Sequence, residues 1–414
     1  MSTCSNIYKV HPQHLREILA AYRLDELLYV PIDGATYHHL ACVVNFFGDV
    51  LIPPFEIPAT LHGIEFLLKK VTHAVTTTGA KKVFLGLEAT GHYHEHLVLR
   101  LRALGSEVAV LNPLDTWREK ENPHAKTDRV DLSAIARGLI SQKGSRWIVA
   151  DGIYQHLKQA SRTRRKYVWM QTQTKHRITA LVDRLFPGLW PAAAPIFTDP
   201  WGKASRLLVT HYPMPQQVLR LGEKRLAAFF HKHNTKLGLE TAQRILQAAQ
   251  NAPTRPEADL QVDLVALDCH LQTLTLVEEH LTRLEAQMAR YLLATPGVYL
   301  LSVPGISMIS AADFTAEVGG IQHFADAKQL IALAGTCSKT EQTGESDLTG
   351  LPISKQGRNL LRAILNQIAL SLNAHCPDYT TYYHRKHQEK QDRPKIAAIA
   401  TGNKFAHLAF ALMK

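Results

Sequence analysis

The stretch Leu27 to Asp33 reads LLYVPID, an apolar run that closes on a carboxylate. Leu40 to Phe46, LACVVNF, is a second such run beyond a polar turn containing Gly34, and Val50 to Ile52 resumes the pattern after Gly48-Asp49. Short apolar, β-branched runs bounded by turn residues predict a three-stranded meander. Downstream, the amphipathic stretch Ala59 to Thr76 predicts a helix, Lys82 to Glu88 (KVFLGLE) a buried strand, His92 to Leu104 a helix, Glu107 to Leu111 a strand and Thr127 to Ile140 a helix. The order βββαβαβα is that of an α/β domain, here over residues 25–150.

Four carboxylates stand at telling places in that order. Asp33 ends the first strand, Glu88 ends the fourth, and Asp128 and Asp131 lie three apart on one face of the last helix. Any one of them alone reads as a solvated charge or a helix cap. Together they predict a cluster, because the first and fourth strands of such a sheet are neighbours and a helix across their ends brings all four within metal-bridging reach. Clustered carboxylates repel unless hard cations such as two Mg²⁺ ions sit among them, and such ions suit nucleotidyl transfer.

Residues 151–294 differ in character. From His156 to Pro187, eight basic residues, Lys158, Arg162, Arg164, Arg165, Lys166, Lys175, Arg177 and Arg184, face one acid, Asp183. Interleaved with Tyr167 and Trp169, the stretch suits a nucleic-acid backbone, with Arg162, Arg164, Arg165 and Lys166 as the leading contacts. Four prolines between Pro187 and Trp201 mark a linker. Leu260, Leu264, Leu267, Leu271 and Leu274, then Val277, Leu281, Leu284, Met288 and Tyr291, step by threes and fours, which predicts a long helix with a coiled-coil-like seam, within one subunit or between two.

Residues 295–414 read as an all-α domain interrupted by a polar loop from Gly335 to Gly350. Ser302-Val303-Pro304-Gly305-Ile306 before a helix from Ser307 to Val318 has the pattern of a helix-hairpin-helix turn, in which Gly305 would let a phosphate approach free N–H groups. Lys355, Arg358 and Arg362 form a basic stripe at helical spacing beside the loop. His92, His94 and His96 read as ordinary helix histidines, since only the first and last share a helix face.

The 414 residues carry 47 Lys+Arg against 36 Asp+Glu, a net charge of +11, which points to a polyanionic partner. With 46% apolar and 20% charged residues the chain can bury a sizeable core, which excludes wholesale disorder. No run approaches the roughly 18 apolar residues of a membrane span, and Met1 to Leu15 lacks a secretory apolar core, so a soluble, cytoplasmic protein is expected. The five cysteines, Cys4, Cys42, Cys269, Cys337 and Cys376, include no C-x-x-C pair, which fits a reducing compartment. No Gly-rich phosphate loop of the Walker type occurs, so ATP use is not indicated.

Ile32-Asp33-Gly34, Leu87-Glu88-Ala89-Thr90-Gly91 and Lys126-Thr127-Asp128-Arg129-Val130-Asp131 resemble, in order and spacing, the motifs of the DEDD transposases of the insertion-sequence-110 type. The resemblance continues through Ser302 to Ile306, Phe324, Leu333 to Thr336, Ile353 to Gly357 and Leu361-Arg362, covering about residues 25–185 and 295–372. It implies an RNase H-like (RuvC-like) N-terminal domain with a Mg²⁺-bound cluster of Asp33, Glu88, Asp128 and Asp131. It also implies a C-terminal domain supplying a hydroxyl nucleophile that joins covalently to DNA. Where the family carries a serine in a Gln-Ser-Gly signature, this chain has Gln342-Thr343-Gly344, so Thr343 takes that place and Ser346 is the reserve candidate. A threonine hydroxyl can attack a phosphodiester, although its β-branch restricts χ1.

The resemblance further implies DNA substrates at element ends and target, a noncoding bridge RNA that specifies both, and a homo-oligomer, a dimer or higher, for which the Leu-rich helix offers a seam. Two alternatives stand beside a recombinase: a metal-dependent junction nuclease without a covalent intermediate, and a non-catalytic nucleic-acid-binding relic.

Overall fold

Alternation along β1 (Leu27–Asp33) builds the first unit: Leu27 and Tyr29 point to one face of a sheet, and Leu28, Val30 and Ile32 to the other. β2 (His38–Asn45) pairs antiparallel with β1, and β3 (Val50–Pro58) antiparallel with β2. β4 (Lys82–Glu88) runs parallel to β1 on its other side, followed by β5 (Val108–Leu111) parallel to β4. The sheet order is therefore β3-β2-β1-β4-β5, with the first and fourth strands adjacent as the sequence predicts. The third strand runs six residues past Ile52, to Pro58. The computed structural model describes residues 20–88, 93–111, 113–120, 127–141, 152–191, 195–235, 237–339, 341–343, 346–348, 351–389 and 393–414. It divides into two compact units, Met1–Val149 and Ala150–Lys414.

Helices cover both faces of the sheet. Leu67 and Val71 of α1 (Leu61–Thr78) and Leu97, Val98 and Leu101 of α2 (Tyr93–Ala103) pack on the Leu28, Val30 and Ile32 side. The Thr60 hydroxyl caps α1 by accepting from the Gly63 N–H at 3.1 Å. A short α3 (Pro113–Arg118), absent from the sequence reading, precedes α4 (Asp128–Ile140). Leu132, Ile135, Ala136 and Leu139 of α4 close the other face over Leu27, Tyr29 and Phe84. A Cβ on Gly86 of β4 would lie 2.2 Å from the Leu139 side chain, so the missing side chain lets α4 settle close to β4.

The second unit is helical. α5 (Gly152–Leu185) and α9 (Gln261–Leu293) run antiparallel, as ion pairs Arg164–Glu285 and Arg184–Asp263 at opposite ends show. Ile178, Leu181, Val182 and Leu185 of α5 share a core with Leu267 and Leu274 of α9 and with α6 (Lys203–His211), α7 (Pro215–Lys232) and α8 (Leu239–Asn251). The Leu267, Leu274, Val277, Leu281 and Met288 positions of the leucine seam are buried within the chain. A seam read between subunits is thus occupied inside one, because α5 offers it a long amphipathic partner.

Leu157 of α5 and Met288 and Leu292 of α9 also belong to the core of α10 (Met308–Val318), α11 (Ala327–Ala334), α12 (Asn359–His375) and α14 (Pro394–Met413). Residues 151–294 and 295–414, divided at Thr295 in the sequence reading, accordingly fall in one unit. The helix α14 is long and apolar enough to resemble a membrane span, but Phe405, Ala409 and Met413 lie in this core and Ala397 and Ala398 pack with Tyr383 of α13 (Pro377–Glu389).

Candidate active site

The sheet sets Asp33 and Glu88 side by side: Ile32 is the register partner of Leu87, and each acid is the next residue on its strand. Asp128 and Asp131 occupy the first turn of α4, which Thr127 caps by accepting from the Val130 N–H. Carboxylates in that turn lie near the positive end of the helix dipole. Asp33 is pushed up to about 6 by burial and then by the charges of Asp131, Asp128 and Glu88. The four acids therefore share one electrostatic field at the ends of β1 and β4.

Two of the four are held by neighbours that no motif singles out. The Thr116 hydroxyl, on an almost wholly buried residue of α3, lies 2.6 Å from Glu88 Oε2 and donates to it. Lys120 forms an ion pair with Asp131 Oδ1. The preceding carbonyl of Glu119 accepts from Arg137 Nη1 at 3.0 Å, which ties the lysine's segment to α4. Among the described residues no three His, Cys, Asp or Glu side chains stand close enough to hold one metal ion, so the expected metal-bridging distance is not met in this arrangement. The donor set nonetheless fits a hard divalent cation: every member is a carboxylate, and Asp33, raised first by its burial, is raised further by the charges of the other three. Of the histidine run, His92 lies outside the described residues, His94 is buried in α2 and His96 is exposed.

The basic stretch of α5 is largely matched by acids of its own unit. Arg162 donates from Nε to Glu317 Oε1 at 2.8 Å and from Nη2 to Glu317 Oε2 at 3.1 Å. Arg165 Nη2 donates to Asp313 Oδ2 at 2.7 Å, and the Ser161 hydroxyl meets Asp313 Oδ1 at 2.5 Å. Arg164 Nε donates to Glu285 Oε1 at 2.7 Å, while Lys166 is exposed. Four of the eight cations of the stretch, Arg162, Arg164, Arg165 and Arg184, thus have acid partners within their own unit. Asp313 and Glu317 stand one turn apart on a helix, MISAADFTAEV, that is otherwise almost wholly apolar and buried. That pattern was the available signal, since buried carboxylates need cationic partners.

Gly305 has φ 91°, and its carbonyl accepts from the Ser371 hydroxyl of α12 at 2.6 Å. A Cβ there would stand 3.1 Å from the Ser371 carbonyl oxygen, so the close approach this glycine permits is to α12. The following helix begins at Met308, capped by Ser307. These contacts give the turn a packing role against α12.

Within the polar loop the chain forms a two-stranded arm. β6 (Glu341–Thr343) pairs antiparallel with β7 (Ser346–Leu348), and Thr343 is the direct register partner of Ser346. At the root of the arm, Lys339 N–H donates to the Pro352 carbonyl at 3.0 Å, Ser354 N–H to Cys337 at 2.8 Å and Lys355 N–H to Gly335 at 3.0 Å. A Cβ on Gly357 would lie 2.4 Å from the Leu333 carbonyl oxygen and 2.7 Å from the Gly335 nitrogen, so glycine is required where the two sides cross. The Arg362 guanidinium donates to the Ala334 carbonyl at 3.0 Å and to Asn359 Oδ1. Thr336 donates to Asn403 Oδ1 at 2.6 Å, fixing the root to α14. The exposed Lys355 has a positive φ of 55°.

Two family models match this chain. A family model of the DEDD type of IS110, described as a transposase, matches residues 30–187. A second, described as the transposase IS116/IS110/IS902 family, matches residues 298–384, and the two together take in more than half of the chain. An uncharacterized 42 kDa protein of the insertion element IS900 from Mycobacterium paratuberculosis is 26% identical over 267 residues, which are 60% of this chain and 64% of that protein's length.

Proposed function

Because the chain belongs to the IS110-type family of transposases, we propose that it is the transposase of an insertion sequence, cleaving and rejoining DNA strands at element ends and target. The observation that carries this reading is the field at the ends of β1 and β4, where Asp33 holds its proton up to about 6 beside Asp131, Asp128 and Glu88. On this reading the first unit is an RNase H-like domain, and these four side chains hold Mg²⁺. The metal, when bound, supplies Lewis-acid polarisation of a phosphodiester. Thr116 orients Glu88, and Lys120 balances part of the charge on Asp131.

Thr343, or Ser346 opposite it, supplies the nucleophile. The hydroxyl oxygen forms an ester bond to phosphorus, the bond from phosphorus to the leaving nucleoside oxygen breaks, and the hydroxyl's proton ends on that oxygen. Reversal by a hydroxyl of another strand rejoins DNA and frees the side chain. Arg162, Lys166, Lys355, Arg358 and Arg362 contact phosphates, the Gly305 turn supports them, and Arg164 and Arg165, each matched to one acid, contribute less. A bridge RNA as guide, a homo-oligomer as the working form and the cytoplasm as its place belong to the same proposal.

Threonine in place of serine favours one second reading, a metal-dependent nuclease that cuts without a covalent intermediate. Trapping on labelled element-end DNA with Mg²⁺ decides between them. A denaturation-resistant protein–DNA adduct is the expected result, cleavage without an adduct supports the nuclease, and neither product overturns both.

A further inference from the structure

The cations of α5 and their acids do not balance evenly. Arg164 has Glu285, Arg165 has Asp313 and Arg184 has Asp263, one carboxylate for each guanidinium. Glu317 stands apart, because two guanidinium groups converge on this one fully buried side chain. Arg162 holds it with two hydrogen bonds. Arg358 Nη1 donates to its backbone carbonyl and lies 3.9 Å from Oε2. Lys158, one helical turn before Arg162, adds its field to the same carboxylate. Burial would push Glu317 up, yet Arg162, Lys158 and Arg358 hold it below the usual carboxylate range.

Three positive charges on one negative leave a surplus of two. Arg162 is half exposed and Arg358 is 40% exposed, so this surplus reaches solvent while its anchoring acid does not. Lys158 is held down to about 8, first by its own burial and then by Arg358, so Glu317 alone does not satisfy its ammonium. Beside the cluster, α12 begins at Asn359 with no side-chain cap, and Arg358 itself is its N-cap residue. A helix start of that kind leaves N–H groups that favour an anion.

We propose that Lys158, Arg162 and Arg358, gathered by the buried Glu317, form a binding site for one backbone phosphate of a nucleic acid. Glu317 acts as a positioning residue: its carboxylate holds the Arg162 guanidinium by two hydrogen bonds, its backbone carbonyl accepts from Arg358, and the cations outnumber it. Through Arg358 the site adjoins the root of the arm that bears Thr343, where Arg358 N–H donates to the Leu333 carbonyl at 2.7 Å. A phosphate held here fixes the strand relative to the arm. The inference rests on the transposase reading for its ligand, and it assigns a role to Lys158 that the stretch's charge alone does not.

The test is fluorescence anisotropy of the full chain near pH 7, with labelled mixed-sequence duplex DNA and, separately, labelled mixed-sequence single-stranded RNA, over a range of NaCl. Lys158→Gln is the variant of choice, since Lys158 makes no hydrogen bond to Glu317 and its loss strands no buried partner; a melting curve checks the fold. The plot of log affinity against log salt should become shallower by about 0.9 on duplex DNA or about 0.7 on single-stranded RNA. Lys158→Arg should restore the slope, and Arg184→Gln, which breaks a one-to-one pair on the same helix, should leave it unchanged. A change on only one polymer names the source of the phosphate. An unchanged slope on both, with wild-type binding still salt-dependent, overturns the site and leaves the transposase reading standing. Wild-type protein that binds neither polymer overturns both.

Discussion

Arg162 clamps Glu317 through two hydrogen bonds, at 2.8 and 3.1 Å, and the carboxylate so held is wholly buried. Residues 155 positions apart are thereby joined, and α5 is fixed against α10. Removing one partner of a buried pair leaves the other charge desolvated, at a cost of about 3–5 kcal/mol. The half-exposed guanidinium places Arg162→Gln toward the lower end of that range. Urea unfolding without nucleic acid should show the loss, and an unchanged midpoint would mean that the pair contributes nothing to folding. Combined neutralisation of Arg162, Arg164, Arg165 and Lys166 should therefore lower stability as well as nucleic-acid affinity.

Asp33 predicts how stability depends on pH. Its carboxyl titrates at about 6 in the fold against an ordinary 3.8, so the folded state holds the proton more tightly than the unfolded one. This contribution to stability is fully present below about pH 4 and is lost as pH rises through about 6. Asp33→Asn should flatten that part of the stability profile and raise the midpoint of urea unfolding near neutral pH. If wild type and variant keep parallel profiles between pH 4 and 6, the carboxylate field is weaker than the geometry implies.

The arm gives a backbone prediction. Gly357→Ala would set a methyl group 2.4 Å from the Leu333 carbonyl oxygen, and a backbone atom cannot swing aside as a side chain can. Overpacking of this kind costs about 1–3 kcal/mol. The root hydrogen bonds of Lys339, Ser354 and Lys355 should lose protection from amide exchange before the sheet of the first unit does. Equal loss in both units would indicate global unfolding instead.

The first unit was legible because its signals are local. LLYVPID and KVFLGLE match β1 and β4 to the residue, and Thr127 ahead of Asp128 marks the start of α4. The partners of the basic stretch were not legible, since Asp313 and Glu317 lie some 150 residues from Arg165 and Arg162 and only the folded chain brings them together. In sequence the arm reads as loop, because three-residue strands rich in Glu, Gln, Thr, Ser and Asp carry no apolar alternation. Lys120 and Thr116 belong to the segment around α3, a helix too short to leave a period. Their acids were visible in sequence, while the contacts that orient those acids depend on how this segment lies against α4 and β4.

The pairing of Thr343 with Ser346 sharpens the question of the nucleophile. The two residues are direct register partners on a hairpin whose root is hydrogen-bonded on both sides. A family register that puts the nucleophile at Thr343 makes its oxygen indispensable and its extra methyl group a hindrance. Thr343→Ser should keep or raise strand exchange, Thr343→Val should abolish the covalent adduct while keeping the shape of the side chain, and Ser346→Ala should change little. Adduct yield on labelled DNA, followed by peptide mapping of the attached residue, reads all three. Adduct formation by Thr343→Val together with an inactive Ser346→Ala would move the chemistry across the hairpin to Ser346, and would show that the register of the serine signature does not carry over to this arm.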